Sequence, residues 1–260
     1  MTRVALVTGG GTGIGAAAAR RLAADGYLVV VTGRRPALID AVAAEIGGLA
    51  IVADTGVADD AARAVAETVE RFGGLDALVL NAGVGGTGSL LDLDPATFEM
   101  VVRTNLTGAF LMARAAMPLL LERRGAVVSI ASAAALRAAP ESLAYCSSKA
   151  GLAMLTQCIA LDHGPAGVRA NCVCPGWVRT PMADEEMDWL AGKLEADREA
   201  AYNEVTADVP LRRPSTPDEI AGVVAWLLSA EASYVNGAVI PVDGGHTMVD
   251  VGTIAFGKVA

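Results

Sequence analysis

The chain has little aromatic surface, few cysteines and histidines, and too few cations to balance its acids. Among 260 residues there are 3 Trp, 4 Tyr and 4 Phe, so rings that could stack on bases are scarce. The 20 Lys and Arg face 29 Asp and Glu, and the resulting net charge of -9 opposes a polyanion such as DNA or an acidic membrane face. No nucleic-acid partner is expected. No apolar run approaches the roughly 20 residues that span a bilayer. Met1 to Thr8 leads into the strand-like Val4-Ala5-Leu6-Val7, without the apolar stretch and cleavage site of a signal peptide. The expectation is a cytoplasmic chain with no membrane partner. Cys146, Cys158, Cys172 and Cys174 are too few and too unevenly spaced for a disulfide framework. The two histidines, His163 and His246, lie far from Cys172-Val173-Cys174, so no metal is expected and the cysteines read as small buried residues of a reduced protein.

What the chain does have is apolar aliphatic sequence, 53% of it by composition once Cys, Met and the aromatics are included. Continuous apolar runs, rather than alternating ones, recur at Val4 to Val7, Leu28 to Thr32, Leu49 to Ala53, Ala77 to Leu80, Ala126 to Ile130, Val168 to Cys174 and Ala238 to Val242. Strands of that kind are covered by helices on both faces. Between them, apolar residues at three- and four-residue spacing predict helices over Gly13 to Ala24, Pro36 to Ile46, Asp59 to Phe72, Pro95 to Arg123, Ser142 to His163 and Pro217 to Leu228, the longest stretch broken near Asn105 to Gly108. Thr216-Pro217-Asp218-Glu219 is a capping box with proline at the first helical position. The pattern predicts an α/β fold: a seven-stranded parallel sheet, doubly wound, in one domain over residues 1 to 260.

Two segments break the alternation. Asp184 to Glu204 carries eight acidic and two basic residues within an excursion of about 182 to 213. Met187, Leu190 and Leu194 recur at helical spacing, which predicts one amphipathic helix in a mobile lid, with Met182, Met187, Trp189 and Leu190 offered to a substrate. The tail 246 to 260 is too apolar for a solvated linker. Val249, Val251, Ile254 and Phe256 predict packing on a neighbouring subunit.

Chemistry enters at Thr8-Gly9-Gly10-Gly11-Thr12-Gly13-Ile14-Gly15, a strand-to-helix turn. Glycines there let the backbone approach a pyrophosphate, whose charge is met by the helix N-terminus; tight turns also need glycine for conformation alone. Tyr145 and Lys149, four apart, share a helix face. An ammonium beside a phenol favours the phenolate and brings it nearer to neutral pH, although this pair alone is common on solvated helices. Asn81-Ala82-Gly83, Asn105, Ser132, Tyr145, Lys149 and Pro175-Gly176 all fall at C-terminal strand ends or in adjoining helices. That edge of an open α/β sheet is where ligands bind.

With these motifs, and with Asp243-Gly244-Gly245, the sequence resembles the short-chain dehydrogenase/reductase family in its short-subunit branch, over nearly the whole chain. The resemblance implies a Rossmann fold and a nicotinamide-dependent enzyme that interconverts a ketone and a secondary alcohol. By matching positions, Tyr145 would be the general acid and base, Ser132 would bind the reacting oxygen, Lys149 would hold the ribose hydroxyls, and Asn105 would position water in a proton relay. Gly9, Gly11, Thr12, Gly13, Ile14 and Gly15 would cradle the phosphates. Asp54 and Thr55 would flank the adenine, Asn81, Ala82 and Gly83 would line the cofactor cleft, and Pro175, Gly176, Val178 and Thr180 would clamp the carboxamide. Trp177, Met182 and Met187 are candidate substrate contacts, Trp177 being equally suited to packing.

Cofactor choice turns on Gly33 and Arg34. NAD-preferring relatives carry an acidic residue at the Gly33 position, whereas Gly33 admits a 2′-phosphate and Arg34 offers it a planar fork, so NADP is expected over NAD. Arg34 and Arg35 could instead simply solvate the next helix, and Thr12 lacks the basic side chain of many NADP-preferring relatives. The family further implies a homotetramer or homodimer pairing through the helices of Pro95 to Arg123 and Ser142 to His163. A 3-oxoacyl-carrier-protein reductase is the alternative enzyme, with Arg123, Arg124 and Arg169 as candidate docking residues. A non-catalytic nucleotide sensor or scaffold is the alternative from outside enzymology.

Overall fold

The computed structural model describes residues 2–257. Seven strands, β1 (Val4–Thr8), β2 (Leu28–Gly33), β3 (Leu49–Val52), β4 (Ala77–Leu80), β5 (Ala126–Ile130), β6 (Arg169–Pro175) and β7 (Val239–Val242), form one parallel sheet in the order β3-β2-β1-β4-β5-β6-β7. Side chains alternate across each strand, so Leu6, Val30, Leu78 and Val127 enter one core while Val7, Val31, Val79 and Val128 enter the other. The first core is closed by α3 (Ala58–Phe72), α5 (Gly108–Arg123) and α6 (Leu143–His163); the second is closed by α1 (Gly13–Ala24), α2 (Pro36–Ile46) and α9 (Pro217–Leu228). The predicted α/β fold is the observed one, with strand ends moved by a residue or two.

Strand order reverses between β1 and β4, which pair through Val7 and Val79. There the backbones after the two strands diverge and leave a crevice at the C-terminal edge. Helix α4 (Pro95–Val102) is separated from α5 by one wider π-helical turn, Arg103–Thr107, at the predicted break. At the start of α9, Thr216 accepts from the Glu219 amide and Glu219 accepts from the Thr216 amide, completing the capping box.

The acidic excursion corrects one expectation. It holds two helices rather than one, α7 (Pro181–Leu194) and α8 (Arg198–Thr206). Glu195 ends α7 in the left-handed conformation, and the Asp197 carboxylate restarts the chain by accepting from the Ala200 amide. Three of its eight acids are paired: Arg198 holds Asp184 and Asp188, and Arg179 holds Glu199. Tyr202, fully buried, donates to Asp184 Oδ1 at 2.8 Å and lies under the Arg179 guanidinium. Met187 is only 2% exposed and packs with Ala183, Ala191, Ala201 and Tyr202 in a small core.

The tail starts on Asp243, whose carboxylate accepts from Gly245 and Thr247, and ends in a short helix, α10 (Ile254–Gly257). Val251 and Phe256 are 81% and 74% exposed within this chain. Met1 and the last tail residues, Lys258, Val259 and Ala260, lie outside the described residues.

Candidate active site

The glycine turn is fastened to the crevice by side chains the motif alone did not reveal. Thr8 Oγ1 accepts from the Asn81 and Ala82 amides, and Asn81 Nδ2 donates to the carbonyls of Thr8 and Gly9. Asn81 therefore braces the turn. Gly9 and Gly13 sit at φ of 64° and 53°, and a Cβ on Gly15 would lie 2.3 Å from the Gly9 carbonyl oxygen, which no real side chain tolerates. Neither an acidic residue nor a Thr12 side-chain cap occupies the first turn of α1. A cradle of bare backbone at an uncapped helix start suits a pyrophosphate, so these residues fit a dinucleotide.

Beyond the turn, the Gly33 end of β2 is followed by exposed Arg34 and Arg35. Arg35 reaches back to Thr12, with Nη2 3.4 Å from Oγ1. At the end of β3, the Asp54 carboxylate accepts from the Gly56 amide and lies 3.6 Å from Arg103, while Thr55 is buried against Gly108. Thr180 caps α7 and would meet a Cβ on Gly13 at 3.0 Å, so the base of the excursion abuts the glycine turn. Val178 bridges to Ser215, and Pro175 and Gly176 carry β6 out beside β7.

Three catalytic candidates meet at the end of β5. Ser132 begins a short 3₁₀ turn and its Oγ accepts from Ala134, leaving its hydroxyl proton for another partner; it lies close enough to Tyr145 to pull its phenol down. One turn further along α6, Lys149 Nζ donates to the Ile130 carbonyl at 2.8 Å and lies 5.6 Å from the centre of the Tyr145 ring. Asn105, in the π-helical turn, is fully buried. Its amide donates to the Val84 carbonyl and Ser148 Oγ, and its Oδ1 accepts from the Val84 amide. A Cβ on Gly83 would sit 3.3 Å from Lys149 Nζ and 3.4 Å from Asn105 Oδ1. Ser132, Tyr145, Lys149, Asn105 and Gly83 are thus gathered on the crevice that holds the glycine turn.

Burial dominates the electrostatics of the pair. Burial pushes the Tyr145 phenol up to about 12, outweighing the pull of Ser132, and the Glu186 carboxylate adds to the rise. Lys149 is itself pushed down to about 8 by burial. The Lys149 ammonium is held on a backbone carbonyl rather than on the phenol.

Other candidates land elsewhere. Trp177 packs against the small core of α7 and α8 and lines a cavity of about 90 Å³ with Thr206, Leu211 and Asp243. Met187 is turned inward, as described, while Met182 is exposed at the start of α7. Cys172 and Cys174 are buried as expected, but Cys146 is half-buried and Cys158 exposed because both lie on the outer turns of α6; all four are free. Among the described residues no cluster suited to a metal ion occurs, and no helix is long and apolar enough to cross a membrane.

Comparison with known proteins fits this geometry. A family profile described as enoyl-(acyl carrier protein) reductase matches residues 9–247. The chain is 44% identical to Protein MoaE of Klebsiella aerogenes, over 98% of this chain and all of that one. It is 37% identical to meso-2,3-butanediol dehydrogenase of Serratia marcescens, over 95% of this chain and 96% of the relative. A solved structure of a variant of actinorhodin polyketide ketoreductase with NADPH is similar at a TM-score of 0.91 and 34% identity, covering 95% of this chain and 98% of that one. With the sheet, the braced glycine turn and matches that run almost end to end, the chain belongs to the short-chain dehydrogenase/reductase family of oxidoreductases.

Proposed function

We propose that the protein interconverts a ketone and a secondary alcohol with a nicotinamide dinucleotide, Tyr145 acting as general acid and base. The observation that carries this reading is the convergence of Ser132, Tyr145 and Lys149 beside the braced glycine turn. The dinucleotide, when bound, supplies the hydride or accepts it. Ser132 directs a hydroxyl at the reacting oxygen, and Tyr145 gives that oxygen a proton in reduction and removes it in oxidation. Lys149 holds ribose hydroxyls through its ammonium, and Asn105 keeps the Val84 loop and α6 in register as a positioning residue.

The test is to offer wild-type protein and NADPH a panel of diketones, ketosteroids, keto sugars and acyl thioesters while following nicotinamide absorbance. Turnover of ketones is expected; thioester preference would favour the carrier-protein reductase, and turnover of none would favour a sensor. Arg123, Arg124 and Arg169 lie at the N-terminal ends of β5 and β6, the edge opposite Tyr145. Arg169 is further occupied by the carbonyls of Leu227 and Ser229. These arginines do not favour carrier docking beside the site.

Lys149 sets a pH expectation. Below about 8 its ammonium keeps its charge, and above that value it is lost, whereas Tyr145 remains a proton donor up to about 12. The kcat/KM for carbonyl reduction should be level through neutrality and fall above about 8. A profile level to pH values near the ordinary lysine range of about 10.4 would contradict the assignment.

The excursion acts, in this reading, as a lid whose small core sets its shape. Met187→Ala should cost about 2 to 5 kcal/mol of that local packing, raise KM for the carbonyl substrate more than for the dinucleotide, and expose 181–206 to protease. Unchanged KM and protease resistance would make the segment a surface feature. The protein is further proposed to be a homotetramer or homodimer: Phe110 on α5, Met154 and Leu161 on α6, and the tail residues Val251 and Phe256 leave apolar area uncovered in one chain. Light scattering at micromolar concentration should give a multiple of the chain mass, and a monomer would refute this.

A further inference from the structure

The acids of α7 and α8 differ in their surroundings. Asp184, Asp188 and Glu199 face arginines, and Asp197 caps α8. Glu186, like Glu185, Glu195 and Glu204, has no side-chain hydrogen bond or ion pair among the described residues, but it alone of these approaches the loop after β4, its Oε1 lying 3.8 Å from where a Cβ on Gly85 would stand. Gly85 belongs to the loop that follows β4, two residues beyond Gly83. The carboxylate is also close enough to raise the Tyr145 phenol. Its own carboxyl is pushed up, first by burial of the group and then by Glu185, although the residue as a whole is exposed. Paired Asp188 and Glu219 are instead held below the ordinary range.

A carboxylate without a counter-charge gains from a cation brought beside it. Arg179 and Arg198 are already engaged with Glu199, Asp184 and Asp188, Arg213 pairs with Glu219, Lys193 lies over the Trp189 ring, and Lys149 is bound to the Ile130 carbonyl. A cation carried by a substrate is one that this carboxylate could still take. We propose that Glu186 is a specificity-determining residue that selects ketones and secondary alcohols carrying a protonated amine beside the reacting carbon. The inference rests on the proposed carbonyl-alcohol activity and names the substrate class for the same site. An anionic group in that place would meet Glu186 and be rejected.

The experiment compares NADP- or NAD-linked oxidation of 1-amino-2-propanol, 1,2-propanediol and 2-butanol by the wild type, by Glu186→Gln and by Glu185→Gln, a control on the outward side of the same turn. The wild type and the control should favour the amino alcohol over 2-butanol by about tenfold or more in kcat/KM, the scale of one charge-assisted hydrogen bond. In Glu186→Gln that ratio should collapse towards one, and Glu186→Asp should restore part of it. Equal use of amine and neutral alcohols by the wild type, a diol preference matching the amine preference, or an amine preference that survives Glu186→Gln would each overturn the inference while leaving the carbonyl-alcohol reading intact. Wild-type turnover of none of the three, nor of any ketone in the panel above, would remove both.

Discussion

Tyr145→Phe should lower turnover by about 10²- to 10⁴-fold, the usual contribution of a general acid or base, while dinucleotide affinity survives. The ring keeps its packing beside Lys149, and only the hydroxyl beside Ser132 is removed. Because burial holds that phenol at about 12, its proton is present throughout the neutral range and can be delivered to a carbonyl oxygen as negative charge develops there. Lys149→Ala should instead weaken dinucleotide binding as well as turnover. Steady-state rates beside titration of protein fluorescence with NADPH separate the two effects. A Phe variant with near wild-type turnover would move the proton donor elsewhere.

The second large effect expected is in coenzyme choice, with NADPH exceeding NADH in kcat/KM by about ten- to a hundredfold. No carboxylate stands at Gly33 to repel a 2′-phosphate, and two exposed guanidinium groups follow it. The structure adds Arg35 to the sequence argument: by reaching Thr12 it brings to the glycine turn the positive charge that Thr12 lacks. One charge-assisted hydrogen bond contributes roughly 1.5 to 3 kcal/mol, which is the ratio expected. Arg34→Ala should remove most of it, and Arg34→Ala with Arg35→Ala should remove the rest. Faster turnover with NADH in the wild type would mean that both arginines only solvate the start of α2.

Much of this was legible in the sequence for identifiable reasons. Buried parallel strands demand uninterrupted apolar runs, so the seven strands could be read from segments such as Val4 to Val7 and Ala126 to Ile130, whereas their order in the sheet could not. The glycine turn and Tyr145 with Lys149 were readable because their spacing is itself the geometry, one tight turn and one helical turn. The second helix of the excursion was hidden because its start depends on Asp197, a single polar cap amid many acids. Met187 was misdirected for a related reason: a stripe at helical spacing does not say whether it faces a ligand or a neighbouring helix, and Tyr202, the residue it packs with, lies in the helix that was not foreseen. The raised phenol of Tyr145 depends on how deeply α6 sinks against β5, which no spacing encodes. Glu186 was indistinguishable from its acidic neighbours in sequence; what sets it apart is its place beside Gly85, which only the fold reveals.

The central claim, hydride transfer at a carbon whose oxygen Tyr145 serves, is tested most directly by isotope. Wild-type protein is given NADPH deuterated at the transferable position of the nicotinamide, together with the ketone it turns over fastest, and the product is examined by mass spectrometry and NMR. The account predicts one deuterium on the carbinol carbon, none on the hydroxyl after exchange, and no product from Tyr145→Phe on the same timescale. Product without deuterium at that carbon, or equal labelled product from Tyr145→Phe, would contradict it.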